Sequence, residues 1–169
     1  MLENYNLNRN DTLLNEVLIV DGQPGSGKTL FTQIFGSLER VEHFNYSTEI
    51  ENICGLMHLG KIEKNAAMSM LKIQLDQMIY ETMMSRRSNF RYSDLSSVFK
   101  SAQFIDYVKR LFSKGDEIIP SIINTRKPIL HILTHNLLPY SEIIFQTFKE
   151  KLKFVEIIRH PLYMIIQQT

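Results

Sequence analysis

Only one cysteine, Cys54, occurs in the 169 residues. That excludes an internal disulfide framework and a multi-cysteine zinc site, and it fits a reducing compartment. Neither sign of charge is in excess, since 19 Lys and Arg face 18 Asp and Glu for a net charge of +1. A nucleic-acid partner held by a strong overall positive field is therefore not expected. No run approaches the roughly 18 apolar residues of a membrane span. Residues 1–15 are polar and Asn-rich, without the apolar core of a signal peptide. Collagen, coiled coil, porin and secreted mini-protein are excluded on these grounds. A cytoplasmic α/β or all-α domain remains. The chain is 44% hydrophobic and 22% charged, near the globular average, and long enough to bury a core without covalent staples.

Residues 1–15 read as a loose leader, and 16–169 as one domain with a helical insert at about 47–126. Glu16-Val17-Leu18-Ile19-Val20-Asp21 is a short apolar run stopped by Gly22, the pattern of a strand buried on both faces. A helix is expected over 28–38, with Leu30, Phe31, Ile34, Phe35 and Leu38 on one face. A second strand is possible at 41–46. Helices follow at 48–59, ended by Gly60, at 65–84, at 93–112 and at 116–124. In the third of these, Val98, Phe104, Ile105, Val108 and Leu111 are expected to point inward. Strands are expected at 128–134 and 153–158, with a helix from Ser141 between them and another beginning at Pro161. Strands alternating with helices imply a mostly parallel sheet with helices on both faces, an α/β three-layer sandwich. The last helix has little room to finish, so the chain reads as truncated at its C-terminus.

Gly22-Gln23-Pro24-Gly25-Ser26-Gly27-Lys28-Thr29 matches G-x-x-x-x-G-K-[ST], with an apolar strand before it and an amphipathic helix after it. Glycines let successive backbone N–H groups turn inward, and the following helix adds its positive end. Lys28 offers a mobile cation to phosphate oxygens, and Thr29 a hydroxyl to a phosphate or a metal ion. A nucleotide is the expected ligand. A magnesium-dependent hydrolase would place an acid at the end of a neighbouring strand. The later strands are expected to end in Thr134-His135 and Ile158-Arg159, without Asp or Glu at either tip, so no metal ligand is assigned. His135 and Arg159 follow apolar strands at the ligand-binding edge of an open sheet. Imidazole suits proton removal from a hydroxyl, and a guanidinium grips phosphate through a planar fork. Arg86, Arg87 and Arg91, interleaved with Phe90 and Tyr92, form either a flap over an anionic ligand or a solvated loop.

Three blocks together resemble the sulfotransferase branch of the P-loop superfamily. Pro24-Gly25-Ser26-Gly27-Lys28-Thr29 is similar to that family's P-[KR]-S-G-T-T loop, which binds the 5′-phosphosulfate end of 3′-phosphoadenosine 5′-phosphosulfate (PAPS). Thr134-His135 with Leu138-Pro139 resembles its T-H-L-P block, where the His is the general base. Phe154-Val155-Glu156-Ile157-Ile158-Arg159-His160-Pro161 resembles its strand ending in R-x-P, where the Arg grips the 3′-phosphate. The resemblance implies a sulfotransferase that uses Lys28 and His135 in transfer and binds PAPS through 22–29 and Arg159, with a hydroxyl acceptor. It further implies that the strand at 129–134 lies beside 16–21, with 153–158 on its other side. Gly25 and Lys28 depart from the family loop and restore a full triphosphate loop. Two alternatives therefore stand: an ATP- or GTP-dependent kinase or NTPase using Mg²⁺, and a nucleotide-binding domain without catalysis.

Overall fold

The computed structural model describes residue 9 and residues 11–168, with the side chains of 167 and 168 left aside. In chain order the elements are β1 (Glu16–Asp21), α1 (Lys28–Phe35), β2 (Asn45–Tyr46), α2 (Thr48–His58) and α3 (Lys64–Met83). They continue with α4 (Phe104–Leu111), α5 (Ile119–Arg126), β3 (Ile129–Leu133), α6 (Glu142–Phe148), β4 (Leu152–Glu156) and α7 (Pro161–Gln168). The strands form one parallel sheet in the order β2-β3-β1-β4. As expected, β3 and β4 flank β1, with Val20 opposite Leu133 and Asp21 opposite Glu156. Most of the leader lies outside the described residues. Its last part docks on α3, where the Leu14 N–H donates to Asp76 at 2.9 Å.

Side chains alternate across a strand, so β1 feeds two cores. Val17 and Ile19 pack with Leu130 and Ile132 against Leu71, Leu75, Met78 and Ile79 of α3 and Ile144 of α6. Leu18 and Val20 pack on the opposite face with Val41, Phe44 and Leu133. Burial on both faces is what the uninterrupted apolar run of β1 requires. Gly60, at φ 64°, ends α2 in the left-handed conformation, and the Lys61 N–H reaches back to the Leu56 carbonyl.

Several expected elements differ in extent or facing. The strand at 41–46 shrinks to β2 plus a single bridge from Val41 to Ile129. The helix at 28–38 stops at Phe35, and most of its apolar stripe faces outward, with Leu30 65% and Ile34 54% exposed, while Phe35 packs on the second core. The buried residues of α1 are Lys28 and Thr32. The helix at 93–112 is a 3-10 turn at Val98–Lys100 followed by α4. Val98 is buried, whereas Phe104, Ile105 and Leu111 are exposed and Tyr107 points inward. A polar network decides that facing. The Tyr107 hydroxyl donates to buried Glu42, which Arg110 grips at 2.7 and 3.0 Å. The strand expected over 153–158 ends at Glu156.

Candidate phosphate-binding site

The turn between β1 and α1 needs its glycines. Gly22, Gly25 and Gly27 have φ of 149°, 83° and 92°, values that side chains with a Cβ rarely adopt. A Cβ at Gly22 would also lie 2.7 Å from the Ile157 carbonyl oxygen, so the loop and the end of β4 meet only because this residue is glycine. The Ser26 N–H closes the turn on the Gln23 carbonyl at 3.1 Å. Gly27 is the N-cap of α1 and offers no side-chain cap, which leaves the first N–H groups of that helix for a ligand. The Ser26 hydroxyl is buried and makes no hydrogen bond among the described residues. An orphaned donor in a glycine-rich turn at a helix N-terminus fits a bound phosphate.

Lys28 is 6% exposed and folds its ammonium back onto the Gly22 carbonyl. Burial lowers its pKa, and the carboxylates of Asp21, Glu51 and Glu156 pull the other way. Asp21 is fully committed: Oδ1 accepts from the Thr134 hydroxyl at 2.8 Å, and Oδ2 accepts from the N–H groups of Leu137 and Leu138, each at 2.8 Å. This one carboxylate closes the segment after β3 onto the tip of β1. Glu156 corrects the expectation that neither later strand ends in an acid. It is the last residue of β4, beside Asp21. Burial and then the Asp21 charge raise its pKa.

His135 emerges from the end of β3 beside the loop. Its backbone N–H donates to Glu51 Oε1 at 2.7 Å, and its ring Nδ1 lies 3.5 Å from the same oxygen. The imidazole stacks on Tyr46, with centroids 5.8 Å apart and planes 17° apart. A cavity of about 370 Å³ is lined by Pro24, Gly25, Gly27, Lys28, Thr29 and Leu30 of the loop side, and by Tyr46 and His135. The Gln23 amide also donates to Asn136 at 2.7 Å. Arg159, three residues beyond β4, donates through Nη1 to the Gly25 carbonyl at 3.1 Å. Its guanidinium carbon lies 5.9 Å from the Tyr163 ring centroid.

All the candidate residues therefore gather at one sheet edge: Gly22, Gln23, Pro24, Gly25, Ser26, Gly27, Lys28 and Thr29 in the loop, with His135 and Arg159 beside it. The arginines of 85–92 do not line this cavity. Arg86, Arg87 and Arg91 pair with Asp116, Glu81 and Asp94 at 3.8, 3.4 and 3.9 Å. A separate groove of about 590 Å³ is lined by Glu51 and Asn136, the hydrogen-bond partners of His135 and Gln23, with Leu56, Leu59 and Tyr140 on its walls. Glu51 and Tyr46 escaped sequence reasoning. Glu51 reads as an ordinary first-turn acid of α2, and only the tertiary fold carries it to His135. Among the described residues, no group of three or more His, Cys, Asp or Glu is arranged to hold a metal ion. Nor is any helix among them long and apolar enough to cross a membrane. Comparison with protein-family models, curated proteins and solved structures gave no match to this chain.

Proposed function

We propose that this chain is a sulfotransferase-like group transferase that moves a sulfuryl group from PAPS to an acceptor hydroxyl. The observation that carries the reading is the cavity shared by the loop and His135, with Arg159 held on the Gly25 carbonyl of that loop. The amides of 22–29, Lys28 and Thr29 would hold the 5′-phosphate end of the donor, and Arg159 its 3′-phosphate. Bound PAPS would supply an activated sulfuryl group on a phosphate leaving group. Lys28 offers a cation to charge gathering on that phosphate. His135 accepts the proton of the incoming hydroxyl, and Glu51, 3.5 Å from its ring Nδ1, orients the imidazole. The groove lined by Glu51 and Asn136 would take the acceptor. Most of the rate would come from positioning and electrostatics.

The kinase reading draws on two features: Lys28 in a complete triphosphate loop, and the carboxylate of Glu156 at the tip of β4. Calorimetry with PAP, PAPS, ATP and GTP, with and without Mg²⁺, separates the two. Metal-independent binding of PAP and PAPS supports sulfuryl transfer. Binding of ATP or GTP alone, and only with Mg²⁺, supports the kinase.

A further inference from the structure

We infer that a second cavity, between the end of α3 and helices α4 and α5, binds a small soluble amphiphile with an anionic head. The cavity measures about 430 Å³ and shares no residue with the loop cavity. That volume falls in the range of small-molecule sites, roughly 300–1,000 Å³. Its chemistry is divided. Arg86, Lys109, Arg110, Lys114 and Arg126 line it, against one lining carboxylate, Asp106. The apolar wall is made of Met83, Met84, Ile119 and Ile122, with Leu111 and Ile118 partly open to solvent.

The cations are not equivalent. Arg110 is consumed by Glu42, which it grips through both terminal nitrogens at 2.7 and 3.0 Å, with little of either side chain exposed. Lys109 reaches Asp106 only at 3.9 Å, and Arg86 reaches Asp116 at 3.8 Å. All four of those side chains are more than half exposed, so solvent screens the pairs strongly. Lys114 and Arg126 make no ion pair among the described residues. Two uncompensated cations beside an apolar wall complement one anionic group on a short hydrocarbon body. A neutral amphiphile would leave the cations unused, and an inorganic anion would leave the wall wet. The recess suits a single free molecule better than a flat bilayer surface.

The probe is n-octyl phosphate below its micelle concentration, titrated into the full chain by calorimetry. Octyl glucoside and inorganic phosphate serve as the head-group and tail controls. Octyl phosphate should bind at least tenfold more tightly than either control. Lys114→Ala combined with Arg126→Ala should weaken it at least tenfold, and both side chains are exposed, so the fold should persist. Saturating PAP should not displace it. Equal affinity for octyl phosphate and octyl glucoside, an unchanged affinity in the double variant, or displacement by PAP would each overturn the inference. So would association with phosphatidic acid vesicles but not with monomeric octyl phosphate.

Discussion

Glu51 Oε1 accepts the His135 backbone N–H at 2.7 Å and stands 3.5 Å from the ring Nδ1 of the same residue. One carboxylate thus anchors both the main chain and the imidazole at the end of β3, while Tyr46 stacks on the ring. A base held by a third group is the usual arrangement for proton transfer from a hydroxyl. Glu51→Ala should lower kcat of the proposed sulfuryl transfer by about 10- to 100-fold, a typical share of acid–base catalysis, with PAP affinity changed little. Glu51→Gln, which keeps an acceptor for the backbone N–H, should recover part of that loss. A parallel fall in PAP affinity would make Glu51 a general support of the loop instead of a positioning residue for His135.

Lys28→Ala should weaken nucleotide binding at least tenfold, about 1.4 kcal/mol. The fold should survive, because the Lys28 ammonium meets a loop carbonyl and not the core. Calorimetry with the best nucleotide checks the first expectation, and circular dichroism the second. Equal affinity in wild type and variant would remove Lys28 from the site.

Gly22→Ala should destabilise the fold and open the loop. The added Cβ meets the Ile157 carbonyl oxygen at 2.7 Å, in a backbone conformation of φ 149° that alanine resists. The loss should be on the order of 1–3 kcal/mol in urea unfolding. Gly27→Ala meets nothing within 4 Å and carries only the backbone penalty at φ 92°, so it should cost less. The reverse ranking would show that the close approach of loop and β4 carries little weight.

His131 is fully buried in β3, edge-on to Phe35 and Phe44, and burial lowers its pKa to about 4. The unfolded chain takes up this proton near pH 6.5 and the folded chain only near 4. The stability it contributes is complete above pH 6.5 and is lost as pH falls through that window. The full loss is on the order of 3 kcal/mol. Urea midpoints from pH 7 to pH 4 should therefore fall less steeply for His131→Leu than for wild type. Parallel curves would mean that His131 finds its proton as easily inside as outside.

The loop and three strands were legible because each is contiguous in the chain. An apolar run such as 17–20, closed by glycine, carries its own signal of burial on both faces. His135 and Arg159 follow the ends of such runs, so their arrival at one sheet edge follows from parallel pairing. Glu51 had no such signal, since its role depends on where α2 lands. Periodicity in α1 identified an amphipathic helix but not which side the sheet would take: Lys28 and Thr32 turn in, and Leu30 and Ile34 turn out. In α4 the pattern favoured Phe104 and Ile105, yet Tyr107 turns inward, because its hydroxyl completes the Glu42–Arg110 network. The acid at the tip of β4 was missed because pairing ends at Glu156, earlier than the apolar run does.

We propose that Arg159, held at the Gly25 carbonyl at 3.1 Å, reads a 3′-phosphate on a nucleotide in the loop. The direct measurement is a competition titration of PAP against ATP, without and with Mg²⁺, on wild type and on Arg159→Ala. Wild type should bind PAP more tightly than ATP when Mg²⁺ is absent. Arg159→Ala should lose most of that preference, at least tenfold or about 1.4 kcal/mol, with little change for adenosine nucleotides lacking the 3′-phosphate. Tighter, Mg²⁺-dependent binding of ATP, with no preference for PAP and no effect of Arg159→Ala on PAP, would contradict the claim and assign the site to a kinase.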